Sequence, residues 1–314
     1  MAQFTAYAST DASAPVLTGE AGKLTDLLDA VLVNGYGAKS AAGWSINQTA
    51  ANKRVYLQGA GSNGFVCRVN DTGDQAGGAR DAVFRGGTSA TDADTLVGPF
   101  PTTTQLADAS SCIRKSATAD NVARAWKCWA DAKTFHLFIV TGDSTTLYMG
   151  VGFGDMDKFY TDSYSTLIWG GIASSASART AEYSGGVYVA AMGTASTSYY
   201  AARSVAGTGG SEPMSKWVPR IMTTSAHTGG PNTFKNQGDG CILLEPVEYG
   251  DTTAVNIRGR MRGLYVPLHT STNFADGDTI SGTGAYASKT FLVLKGFVSR
   301  ATGMLIIETS NTLS

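Results

Sequence analysis

The apolar residues of the chain change their period once. Leu24, Leu27, Leu28, Val31 and Leu32 recur at helical spacing and predict one short helix. Thr18 or Gly19 can begin it, and Asn34-Gly35-Tyr36-Gly37 ends it with two glycines suited to left-handed caps. The residues before it are small and polar up to Pro15, which predicts an extended arm or an early strand. After the helix the texture becomes short β-like runs between turns. The runs cover 54–58, 65–69, 79–85, 113–115, 125–130, 134–141 and 147–153 in the first half, then 242–246, 257–267, 289–297 and 304–308. Ala130-Asp131-Ala132-Lys133 reads as a hairpin connection. A long loop, 86–104, contains Gly98-Pro99-Phe100-Pro101, whose prolines cannot join a central strand.

This pattern predicts a mainly β protein with one short N-terminal helix, built as β-sandwich or barrel-like domains with long loops. The helix has one wide apolar face and is expected to lie on a sheet. Three sections follow from the texture. Residues 1–50 form an arm and helix on the first β domain, 51–175 form that β-rich domain, and 176–314 form a second one. The low-complexity stretches 174–186 and 194–210 mark where the two halves divide.

Composition sharpens the picture. Only 16% of the chain is charged, and 38 of its 314 residues are glycine. Ordinary soluble domains are about 25% charged and about 7% glycine. Charge keeps free proteins apart, so large weakly charged surfaces suit permanent contact with other subunits. The net charge of −1 supplies no field for nucleic acid or an anionic membrane. The longest apolar runs have strand length, short of the roughly 20 residues of a membrane-spanning helix. Met1-Ala2-Gln3-Phe4 lacks the basic start of a secretory signal. Cys67, Cys112, Cys128 and Cys241 match no common zinc spacing and are expected as free thiols.

Four features carry candidate chemistry. Gly59-Ala60-Gly61-Ser62-Asn63-Gly64 is a literal GxGxxG after a strand, but Phe65-Val66-Cys67-Arg68-Val69 alternates like a strand instead of opening a helix. The glycines are expected to form a hairpin connection, with no bound cofactor. Asp92/Asp94, Asp155/Asp157 and Asp276/Asp278 form D-x-D pairs in glycine-containing loops. Such oxygens suit hard cations, although loop aspartates more often brace Asx turns. Asp155 and Asp157, following Gly-Phe-Gly at a strand end, are the pair to inspect for a metal. Arg258, Arg260 and Arg262 share one face of a strand, expected as a solvated face or a contact with acidic groups of a neighbouring subunit. His136 lies in an apolar run and is expected in a core or interface, while His227 and His269 are far away in sequence. No residue set predicts catalysis.

The segments Pro15-Val16-Leu17-Thr18-Gly19, 27–37 and Ala42-Gly43-Trp44 resemble a family of tailed-bacteriophage structural proteins. So do Gly98-Pro99-Phe100-Pro101, Arg114-Lys115-Ser116, 133–140, Gly152-Phe153-Gly154-Asp155, 258–269 and Ile307-Glu308-Thr309-Ser310. The resemblance spans most of the chain and implies a particle component, with no catalytic or cofactor residue to carry over. The expectation is a non-enzymatic virion subunit of the tail, baseplate or neck (the head–tail connector), assembled in the host cytoplasm. Its partners would be other virion proteins and copies of itself. The alternatives are a capsid-decoration or fibre-like protein that binds the host surface, and a tail-associated glycan hydrolase.

Overall fold

The computed structural model describes residues 4–74, 78–103, 111–142, 148–170, 200–207, 244–251, 256–267, 274–297 and 300–309. The strands are, in chain order, β1 (Thr5–Ala8), β2 (Ser45–Ala50), β3 (Lys53–Leu57), β4 (Val66–Asn70), β5 (Asp81–Gly87), β6 (Ser89–Ala90), β7 (Leu96–Val97), β8 (Ser111–Arg114), β9 (Trp126–Ala130), β10 (Thr134–Val140), β11 (Tyr148–Asp155), β12 (Asp157–Lys158), β13 (Thr166–Gly170), β14 (Tyr200–Ala202), β15 (Leu244–Asp251), β16 (Asn256–Pro267), β17 (Thr279–Ser281), β18 (Thr290–Phe297) and β19 (Arg300–Glu308). The helix α1 (Lys23–Leu28) runs on into a π-helical segment, Asp29–Asn34. The chain is thus mainly β with one short N-terminal helix, as the pattern predicts.

Helix formation begins later than Thr18 or Gly19. Gly22 takes φ 83, a turn that L side chains resist. The first free helix amide that needs an acceptor, Leu24 N, donates to Asp71 Oδ2 of the β4–β5 connection at 2.8 Å. The helix therefore starts where another element supplies its cap. At the other end Gly35 takes φ 75, as a stop requires.

The strands stack as three layers. β2-β3-β4-β5-β8 form an antiparallel sheet. A second layer is β1-β9-β10-β11-β13-β14, also antiparallel. Between these two lies the first core, with the helix leucines, Tyr56, Phe84, Ile113, Trp126, Phe135, Leu137, Ile139, Met149, Val151 and Phe153. The third layer contains β15, β16, β18 and β19, joined to the second by the single pair Tyr148↔Phe297 of β11 and β18. A second core fills that gap with Trp129, Phe138, Trp169, Val247, Tyr249, Met261, Leu264, Leu294, Leu305 and Ile307. β14, at 200–202, pairs with β13 and so belongs to the second layer.

The middle layer is covered on both faces, and its sequence reflects this. β10 reads Thr-Phe-His-Leu-Phe-Ile-Val with Phe135, Leu137 and Ile139 toward one core and Phe138 toward the other. β11 solves the packing differently. Met149, Val151 and Phe153 face the first core, and Gly150 and Gly152 alternate with them. The glycines make room for Trp169 and Phe138 on neighbouring strands. A Cβ on Gly150 would sit 3.1 Å from Phe138, and one on Gly152 would overlap Trp169 Nε1 and come within 2.8 Å of His136 Nδ1. Gly152→Ala is therefore expected to lower stability by about 2 kcal/mol, an overpacking cost, read as a shifted urea midpoint. An unchanged midpoint would mean that the aromatics yield without cost.

Seven strands are absent from the sequence-based expectation: β6, β7, β12, β14 and β17, each only two or three residues long and several set in stretches read as loops, and the longer β2 and β13. β2 is mostly polar, with five of its six residues exposed, so it carries no apolar alternation. β13 is five consecutive buried residues, too short to distinguish by period. Within the 86–104 loop Phe100 is fully buried and bridges Gly86 of β5, extending that sheet past β8. The expected strand starts at 147 and 242, the stretch 174–186, most of 194–210, and Cys241, His227 and His269 lie outside the described residues.

Candidate functional site: a buried polar seam across the layers

The polar side chains concentrated in the interior start from the hairpin turn between β9 and β10. Asp131 Oδ1 accepts from the amides of Lys133 and Thr134 at 2.8 and 2.9 Å, an Asx turn that closes the hairpin. The same carboxylate takes a two-pronged contact from Arg262 of β16: Nη1 to Oδ1 at 2.9 Å and Nη2 to Oδ2 at 2.6 Å. Arg262 also donates to Thr134 Oγ1 at 3.1 Å and lies 3.4 Å from Asp157 Oδ1. Its side chain is 7% exposed. One guanidinium thus ties the third layer to the second.

His136 sits beside this tie and is fully buried. Its Nε2 lies 2.8 Å from the Arg262 carbonyl, which can only accept, so Nε2 carries the proton. Nδ1 then accepts from Trp169 Nε1 at 3.0 Å. Burial pushes the imidazole pKa down to about 4, so the ring is neutral at pH 7. His136 is a core residue, as expected.

Asp155 closes the seam toward the first layer. Its Oδ1 accepts from Gln58 Nε2 at 2.9 Å and Thr166 Oγ1 at 2.6 Å, and Oδ2 accepts from Asn63 N at 2.8 Å. Gln58 reaches on to the Lys133 carbonyl at 2.6 Å and takes the Phe65 amide on its Oε1 at 2.9 Å. The glycine-rich segment 59–64 is the connection between β3 and β4, which pair antiparallel with Leu57 opposite Val66. It presents Asn63, whose amide group also donates to Ser165 and Thr166 hydroxyls at 3.0 Å.

Asp155 and Asp157 are not brought together. The first is buried among three donors, and the second is 57% exposed and faces Arg262. Among the described residues no group of three or more His, Cys, Asp and Glu is placed to hold a metal ion. Asp92 braces its own turn by accepting from the amides of Asp94 and Thr95 at 2.7 and 2.8 Å. Asp278 likewise takes the amide of Ala275 in its own turn, whereas Asp276 accepts from Lys295 N of β18 and from the Tyr148 hydroxyl. A cavity of about 10 Å³ lies between Thr134, His136, Asp155, Trp169 and Arg262. That is the volume of one water probe, far below what a substrate needs.

The three arginines of β16 do not form a solvated face. Arg258 is wholly buried, 2.6 Å from Asp162, and donates to Tyr249 Oη and the carbonyls of Tyr164 and Arg203. Only Arg260 is exposed, 3.7 Å from Glu248 and stacked 5.0 Å from the Phe159 ring. The acidic partners come from this chain itself. Neither Asp131 nor Asp162 carries a sequence signal for these contacts, since both partners lie about a hundred residues or more away. Cys67, Cys112 and Cys128 are buried free thiols, and burial raises the pKa of Cys67 and Cys128 well above the usual thiol range.

No family model and no curated protein matches the chain. The chemistry of the seam is therefore read from its geometry alone: every carboxylate in it is engaged by donors, and it cross-ties three layers.

Proposed function

We propose that this chain is a non-enzymatic structural subunit of a tailed-phage virion, working by protein–protein assembly in the tail, baseplate or neck. The observation that carries the reading is the seam. Interior charges and amides are spent on fastening β layers to one another, through Arg262–Asp131, Arg258–Asp162 and Asp155–Gln58. A block held in this way keeps its outer surfaces in fixed relation, which repeated symmetric contacts need. The sparse charge leaves those surfaces free of strong mutual repulsion. The resemblance of 27–37, 133–140 and 258–269 to phage structural proteins supports the same reading. Its partners would then be other virion proteins and further copies of the chain, brought together in the host cytoplasm.

A decoration or fibre-like role has one observation in its favour. Phe159 and Tyr160 are 48% and 38% exposed beside the exposed Asp157, an arrangement suited to a sugar ring. The glycan-hydrolase reading gains nothing from Asp155, whose carboxylate is buried among three donors.

Reconstruction of the native particle by cryo-electron microscopy tests the proposal. Density for this fold in a tail, neck or baseplate ring is the expected result. Density on the capsid exterior moves the chain to decoration, and its absence from intact particles overturns the virion reading.

A further inference from the structure

The sheet edges of this protein are treated unequally. β15 is an edge strand interrupted by Pro246, two register shifts and the acidic Glu248. β17 and β12 are three and two residues long. β1 is covered at Ala6, whose carbonyl accepts from Lys39. These are the usual ways of blunting an edge. β2 carries fewer of them, a register shift and one carbonyl, that of Ala50, taken by Arg54. Among the described residues it is the outermost strand of the first layer, six residues long, and it reads Ser-Ile-Asn-Gln-Thr-Ala. It has neither charge nor proline, five of its six residues are exposed, and a single register shift between Ile46 and Gln48 is its only irregularity.

We infer that β2 is a self-association edge, pairing antiparallel with β2 of a second copy of this chain. The argument for that occupant is charge. In a two-fold pair each strand meets its own reversed sequence, so a charged residue near the two-fold axis meets its like-charged copy across the seam, which is destabilising. A strand intended for a different partner gains by carrying charge, because charge steers and selects. β2 carries none, and its Asn47, Gln48 and Thr49 offer donors and acceptors that suit their own kind. The pair joins two five-stranded sheets into one of ten strands. This inference is independent of the virion reading, since it concerns purified protein.

The test is sedimentation of the full chain over a range of concentrations, with hydrogen exchange at residues 45–50. Ile46 and Thr49 are exposed, so charges there leave the fold intact. The wild type is expected to double in mass as concentration rises, with amides 45–50 gaining protection. Ile46→Lys/Thr49→Lys and Ile46→Glu/Thr49→Glu should each stay monomeric. An equal mixture of the two should restore the dimer, which no folding defect explains. A wild type that stays monomeric, or a Lys variant that pairs as well as the wild type, overturns the inference.

Discussion

Asp71→Ala should destabilise the protein by about 3–5 kcal/mol, the range for breaking a buried ion pair from one side. Asp71 and Lys115 have wholly buried side chains, with the ammonium on Asp71 Oδ1. Lys115 also donates to the Glu20 carbonyl. The other carboxylate oxygen receives Leu24 N, an amide of the first helical turn. One carboxylate therefore both balances the buried ammonium and caps the helix start. Burial pushes the Asp71 pKa up to about 6 and lowers that of Lys115, so both charges pay for their position with lost hydration and hold each other charged. Removing Asp71 leaves the ammonium in an apolar site and the helix start without its acceptor. Adding Lys115→Met to Asp71→Ala should recover most of the loss, because the stranded charge goes with it. Urea unfolding of the two variants decides the matter. A cost for Asp71→Ala below about 1 kcal/mol, the size of a surface pair, would show that water reaches Lys115.

The fold was legible where period and composition act locally. The leucines of α1, the hairpin at Ala130-Asp131-Ala132-Lys133 and the glycine connection 59–64 all stand where the sequence places them. The layering was harder to see, although its trace is present. Met149-Gly150-Val151-Gly152-Phe153 alternates large with absent side chains, the mark of a strand squeezed by aromatics from one side. The seam was not legible at all. Nothing near Arg262 points to Asp131, because pairing across layers depends on topology and leaves no local spacing, and the Lys115–Asp71 pair, which joins the ends of β8 and β4 within one sheet, is equally silent in sequence. For the same reason the arginines of β16 look like a solvated face. Their period places them on one side of a strand but does not say what covers it.

Acid should loosen the seam through His136. Its folded pKa of about 4 lies below the ordinary imidazole value of 6.5. A depressed histidine pKa means that the folded state resists the proton that the unfolded chain accepts. Stability is therefore unaffected above pH 6.5, falls as the pH drops from 6.5 toward 4, and has lost its full share below that. A shift of this size corresponds to about 3 kcal/mol. The cause is the surroundings: Trp169, Phe4 and Thr134 around the ring, the positive Arg262 that opposes a second charge, and Asp131, which offsets it in part. Asp71 acts in the opposite sense. Its folded pKa of about 6 exceeds 3.8, so its protonation favours the folded state as the pH falls through the same window. The histidine contribution is isolated by comparing the wild type with His136→Gln, since glutamine keeps a donor for the Arg262 carbonyl and an acceptor for Trp169. The wild type should lose stability relative to the variant between about pH 6.5 and pH 4, with little difference at neutral pH. Parallel curves across that interval would mean that His136 takes up its proton without disturbing the layers, and the seam would not be the acid-sensitive joint of the fold.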